Sequence, residues 1–264
     1  MRKVNTKIIA AILAATVLPT MALTITEDFT SDIANNGFTV FSDISPTSDR
    51  GVSFDTTAGT MTVAYRYQVG DTLEQPWSSM SRAFSGNAGA DWSMSTNFDI
   101  SDMAFSQATA GVTAMSSAAN FGGTVDNSLG YSARVVVGFD EIIGFRIYGP
   151  GNQVTLVRND NVGTVSSSLL TLNFSGSYDT QGDLTLAASL FNGATQLGTL
   201  SHTVLESNVA GGDYFGSYVG KRFGGNPGTV VFNDLAITAI PEPSTLLLMM
   251  SALLSLVFLR RARR

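Results

Sequence analysis

The chain predicts an all-β protein built as a two-sheet sandwich, and three features of its 264 residues carry that expectation. Residues 23–240 hold no long stretch with apolar side chains at helical spacing. Short runs of β-branched and aromatic residues recur instead, and Gly, Ser, Thr, Asn and Asp separate them. Ten or more such runs in one chain favour two packed sheets over one.

The N-terminal segment is set apart from this body. Arg2, Lys3 and Lys7 precede the apolar run Ile8 to Leu18, and Pro19 then breaks it before Thr20 and Ala22. This is the layout of a secretory signal peptide at residues 1–22, with cleavage after Ala22. The apolar run rises only about 16 Å as a helix, about half of a bilayer core, which argues against a permanent anchor.

Within residues 23–240 the strand candidates, in order, are 60–67, 92–100, 133–139, 142–148, 154–157, 169–174, 184–191, 197–204, 214–219 and 229–238. In the first, Met61, Val63, Tyr65 and Tyr67 share one face. Gly149-Pro150-Gly151-Asn152 separates one strand pair, and Asn192-Gly193 reads as a hairpin turn with room for positive φ. Residues 108–126, apolar only through Ala and Gly, are expected to form a long surface loop. No internal linker or repeat stands out, so one domain is expected.

At the C-terminal end, Pro241, Glu242 and Pro243 form an extended spacer that can neither continue a strand nor start a helix midway. Fifteen mostly apolar residues follow, 245–259, and then Arg260, Arg261, Arg263 and Arg264 around Ala262. As a helix the segment spans about 22 Å, short of the roughly 30 Å hydrocarbon core, so it makes a marginal anchor. The terminal arginines should stay cytoplasmic, leaving the body on the far side, in agreement with the signal peptide.

This order of features resembles the PEP-CTERM sorting signal of Gram-negative bacteria. The resemblance implies export and processing by exosortase, a membrane-embedded cysteine protease or transpeptidase acting near the Pro-Glu-Pro tripeptide. It further implies transient inner-membrane contact through the 241–264 segment, then delivery to the outer surface or an extracellular polysaccharide matrix.

Charge and composition limit the body's chemistry. The two ends hold seven of the 15 basic residues and one of the 21 acidic ones, leaving residues 23–240 with eight basic against 20 acidic, net −12. Such a domain should repel nucleic-acid phosphates. With no Cys and a single His, thiol catalysis, disulfides, Cys-based zinc sites and iron–sulfur clusters are excluded.

The body resembles the concanavalin A-like jelly roll and the related laminin G type sandwich. The stretches that carry this are Asp28-Phe29, Trp92 to Phe98, the Gly182-Asp183-Leu184 to Val204 hairpin, and the closing run Gly228 to Leu235. The resemblance implies that the first and last strands lie together. Glucan-cleaving members use a Glu-x-Asp-x-x-Glu strand motif that places acid and nucleophile on one face, and this sequence lacks it.

Other carboxylates are expected in solvated turns or caps: Asp140-Glu141, Glu27-Asp28, and Asp99 with Asp102. His202 is expected to face solvent on its strand, without a local partner that would mark a general base. No Gly-x-Ser-x-Gly elbow occurs, and neither Gly211-Gly212 nor Gly224-Gly225 precedes a helix that would cradle phosphate. The expectation is a body without catalytic activity.

Two binding chemistries stay open. Structural calcium is the one cofactor class the pattern admits, with oxygen donors at Asp126-Asn127, Asn159-Asp160-Asn161 and Asn233-Asp234. Carbohydrate is the other, because aromatic faces stack on sugar rings. Trp77, in the polar stretch 71–81, is the candidate expected to be exposed, with Tyr148, Tyr214 and Tyr218 after it, whereas Trp92 sits in an alternating strand and belongs to the core. The roles that fit are adhesion, biofilm matrix or carbohydrate contact. A polysaccharide hydrolase using carboxylates distant in sequence and an inert coat protein are the competing readings.

Overall fold

A computed structural model describes residues 23–31, 37–41, 51–65, 75–83, 90–103, 108–116, 130–138, 140–150, 154–164, 169–209, 214–221 and 228–239. The expected signal peptide and sorting segment lie outside the described residues. No helix among the described residues is long and apolar enough to cross a membrane.

Sixteen strands run through the described residues: β1 (Leu23–Glu27), β2 (Thr39–Phe41), β3 (Gly51–Asp55), β4 (Thr60–Tyr65), β5 (Gln75–Ala83), β6 (Trp92–Asp99), β7 (Ala108–Ser116) and β8 (Tyr131–Val137) in the first half. The second half holds β9 (Ile142–Tyr148), β10 (Thr155–Thr164), β11 (Leu169–Tyr178), β12 (Leu184–Asn192), β13 (Thr195–Val204), β14 (Tyr214–Lys221), β15 (Gly228–Phe232) and β16 (Leu235–Ala239). They form the two expected sheets. One runs β13-β12-β11-β6-β15-β4-β3, with β16 also beside β6 and β1 beside β16. The other runs β10-β9-β8-β7-β14-β5-β2.

Period-two alternation decides which side chains enter the core. Along β6, Trp92, Met94, Thr96 and Phe98 point inward and are buried, while Ser93 and Ser95 point outward. Leu170, Leu172 and Phe174 of β11 and Leu184, Leu186 and Leu190 of β12 extend that layer. The facing layer comes from Val112 of β7, Tyr131 and Val135 of β8, Phe145 and Ile147 of β9, and Phe215 and Val219 of β14. Trp92 joins the layers: its ring meets Phe174 edge-on at 5.0 Å and Phe215 at 5.6 Å. Its cross-strand partner is Gly176, where a Cβ would lie 2.5 Å from the indole, so only glycine leaves room for the tryptophan.

Several expectations hold. β9 has the expected bounds, and Gly193 turns the β12–β13 hairpin with φ of 55°. The first and last strands pair along their whole length, Leu23 opposite Ala239 and Glu27 opposite Leu235. The chain therefore enters and leaves the sandwich at one end, next to the segments expected to be removed.

Others are corrected. Residues 108–116 are not a loop but β7, paired on both sides with β8 and β14. Ala108, Ala110, Val112 and Ala114 are fully buried, so the alanines that weaken strand propensity serve as thin packing in the shared core. The expected strand 229–238 is two. Asn233 and Asp234 interrupt it, because four residue steps from Phe232 to Ala236 face three from Phe98 to Ser95, which leaves one extra residue. Asp234 fills the gap: its carboxylate accepts from Asn97 N at 2.8 Å and from Asn97 Nδ2 at 2.6 Å. His202 does not face solvent outright. It shares the inward face of β13 with Leu200 and Val204 and is half-buried.

Two stability predictions follow from this packing. In urea unfolding, Trp92→Ala should cost about 3–5 kcal/mol and Gly176→Ala about 1–3 kcal/mol, whereas a neutral Gly176→Ala would contradict the close approach. Asp234→Ala should cost about 1–3 kcal/mol by leaving the Asn97 amide without its acceptor.

Candidate binding faces of the sandwich

Each strand that buries one row of side chains turns the alternate row outward, so the sandwich has two outer faces to inspect. On the nine-stranded sheet the outward residues are small and hydroxylated. Register aligns Thr238, Ser93, Ser175, Ala187 and Ser201 across five strands, and beside them Ala236, Ser95, Asn173, Ser189 and Thr199. Together they line a shallow groove of about 590 Å³. Met94, Phe174, Ala188 and Leu200 also line it, and none of the lining residues is charged, so the groove sets hydroxyl and amide groups beside a largely apolar surface.

The outer face of the seven-stranded sheet carries the tyrosines expected to bind sugar. Tyr148 on β9 and Tyr218 on β14 share that face, but both are buried, at 4% and 2% exposure. They are not exposed platforms. Both rings lie against the guanidinium of Arg134 on β8, at 4.6 Å and 3.8 Å from ring centroid to Arg134 Cζ. Gly111 explains how Tyr218 reaches it. This glycine on β7 is the register partner of both residues, and a side chain there would collide with the Ala133 carbonyl. Tyr214, at the start of β14, is half-buried, opposite Ser116 and Ala83. Trp77 falls on β5, within a strand of the same sheet, and its side chain lies outside the described residues. Trp92 is in the core, as expected.

The carboxylates are engaged locally. Asp140 and Glu141 form the β8–β9 turn, with Glu141 at φ of 61° and Asp140 Oδ1 accepting from Ile142 N at 3.3 Å. Asp99 accepts from Ser101 N at 2.7 Å, and Asp102 from Thr229 Oγ1 at 2.9 Å. Asp28 is exposed, and its hydrogen bonds from the Thr30 hydroxyl and amide hold its pKa below the ordinary carboxylate value. Glu27 departs from the expectation of a solvated cap. It points inward, is fully buried, and accepts from the amide of Phe29 at 2.8 Å, because the period of β1 places it on the core side beside that phenylalanine.

The oxygen clusters considered for calcium are likewise occupied where they are described. Asp160 bridges Arg146 Nη2 at 2.9 Å and Arg158 Nε at 3.0 Å, and Asp234 is bound to Asn97. Asp126 and Asn127 lie outside the described residues. Among the described residues no group of three or more His, Asp or Glu stands together.

The residues that sequence reasoning missed are Arg134, Arg146 and Arg158. The signal was available: an arginine interrupts each of three successive strand-forming runs at intervals of 12 residues.

Comparison with known proteins adds two findings. Residues 239–264 match the family model described as the PEP-CTERM protein-sorting motif, and no curated protein sequence matches the chain. Among solved structures, the CBM2 module of the evolved Dit of Lactobacillus casei BL23 phage J-1 aligns with a TM-score of 0.60 at 10% identity, covering 85% of this chain and 98% of that one. Lectin I of Ulex europaeus, solved with the methyl glycoside of α-L-fucose, aligns with a TM-score of 0.51 at 12% identity, covering 83% and 98%. At these identities the likeness establishes fold alone. The chain is a concanavalin A-like jelly roll carrying a C-terminal PEP-CTERM sorting motif, which marks it as an exported, cell-envelope-sorted substrate of exosortase.

Proposed function

We propose that this protein is a non-catalytic carbohydrate-contacting module of the outer surface or extracellular matrix of a Gram-negative bacterium, acting in adhesion or biofilm structure. The observation that carries the reading is the uncharged groove across five strands of the nine-stranded sheet, where serine and threonine hydroxyls and the Asn173 amide stand beside apolar surface. Hydroxyl and amide groups at strand spacing exchange hydrogen bonds with sugar hydroxyls, and a shallow groove suits an extended chain better than a small molecule. A non-catalytic role is supported by the local engagement of described carboxylates, since Asp99, Asp140 and Asp234 each serve a turn or bulge. The expected signal peptide at 1–22 and the short apolar segment 245–259 support transient passage through the inner membrane before processing.

Two measurements test this. Mass spectrometry of the protein from its host should find a mature form beginning near Leu23 and lacking Arg260 to Arg264; a product retaining those arginines would refute sorting. On a glycan array the protein should bind neutral polysaccharides and release no reducing ends from them. Ser175→Trp, which fills the groove, should abolish that binding while changing stability by only about 0.5 kcal/mol. Binding unaffected by Ser175→Trp would place the ligand elsewhere.

A further inference from the structure

The opposite face of the sandwich has a different character. From β8 outward, register places Arg134 opposite Arg146 and Arg146 opposite Arg158, so three guanidinium groups stand in one cross-strand row on the outer side of the seven-stranded sheet. Like charges on directly opposed residues destabilise a sheet unless something neutralises them. Among the described residues Asp160 is the one carboxylate bonded to the row, and it takes Arg146 and Arg158. It leaves two positive charges over, in a body whose balance is −12.

Arg134 is the extreme case. Its side chain is 1% exposed, and its hydrogen-bond acceptor is the Ser132 hydroxyl, at 2.7 Å from Nε. Nη1 is buried with no acceptor, and so is Nε of Arg146 on the neighbouring strand. Two tyrosine faces attract the cation but accept no conventional hydrogen bond, and burying an ion without a counter-charge costs several kcal/mol. A protein that only needed to fill this space would use an apolar residue there.

The row also has a direction. Side-chain exposure rises from Arg134, which is buried, through 20% at Arg146 to 60% at Arg158 on the edge strand β10. Arg158 is thus the solvent-facing end of the row and Arg134 its enclosed end. Burial works against the charge on Arg146, but Tyr148 and Asp160 outweigh it and keep that pKa raised.

We propose that the Arg134–Arg146–Arg158 row is an anion site that takes the carboxylate of an acidic saccharide, a uronate, with Arg134 Nη1 as the innermost donor. A planar carboxylate matches the guanidinium fork, and one carboxylate per sugar suits a short row better than densely charged nucleic acid does. The inference goes beyond the neutral-glycan reading, because it concerns the other sheet and a different ligand class.

Isothermal titration of the full chain in a non-ionic detergent, with polygalacturonate fragments as probe and dextran and sodium sulfate as comparisons, decides the matter. Polygalacturonate should bind, with affinity falling as salt is raised, while dextran produces no heat that depends on the arginines. Arg134→Gln should weaken polygalacturonate binding about tenfold or more. If that variant does not fold, Arg158→Gln at the exposed end decides in its place: a loss of about two- to threefold supports the site. Sulfate binding that Arg134→Gln removes, without any polygalacturonate binding, would make this an inorganic-anion site and overturn the saccharide assignment. Polygalacturonate affinity unchanged in Arg158→Gln and in folded Arg134→Gln would overturn the site altogether. Neutral-glycan binding through Ser175 is independent of either result, so failure here leaves that reading separately testable.

Discussion

Antiparallel register with a period of two is the constraint from which the rest of this molecule follows. Every strand buries alternate residues, and the pairing holds equivalent residues level across the sheet. One sequence of partners brings Ser93, Ser175 and Ser201 into line on the nine-stranded sheet; another brings Tyr218, Arg134, Arg146 and Arg158 into line on the seven-stranded one. A slip of one residue would send the hydroxyls inward and Leu172 or Leu186 outward. The core and both outer faces are therefore products of the same register, and the apolar face enforces what the polar face displays.

The fold was legible where local chemistry and global packing agreed. The β12–β13 hairpin has alternating buried leucines and a turn glycine with positive φ, and β9 is a β-branched and aromatic run bounded by turns, so both positions could be read directly. It was illegible where tertiary packing overrode propensity. β7 consists largely of Ala, Thr and Gly, which look like a loop in isolation, but a strand lying between β8 and β14 under large aromatics needs small side chains. The interruption at Asn233 and Asp234 was equally hidden, since Asp234 acts through Asn97, 137 positions away. For the binding faces, Tyr148 and Tyr218 were identified as aromatic candidates, but their partner was not. An arginine inside an apolar strand is read locally as an outward charge, and only the register shows that two tyrosines enclose it.

The ends of the domain fit its sorting. β1 and β16 are antiparallel neighbours, and the Thr24 and Thr238 hydroxyls lie 3.0 Å apart across them. The junctions to the two expected removable segments thus emerge side by side, with the last paired residues at Leu23 and Ala239. Processing at both ends would leave every described ladder intact. The body is acidic overall, net −12, and the positively charged row on one sheet stands out against that balance.

The central claim is that register-aligned polar rows form ligand-facing surfaces, and that the buried Nη1 of Arg134 lacks an acceptor until an acidic sugar supplies one. Side-chain nitrogen NMR of the arginines, recorded with and without galacturonate oligomers, tests it most directly. The account predicts that the Nη resonances of Arg134 shift and that their exchange with water slows on addition of the sugar, with smaller changes at Arg146 and Arg158. Arg134 Nη resonances that already show a hydrogen-bonded state in the free protein and stay unmoved by the sugar would contradict it.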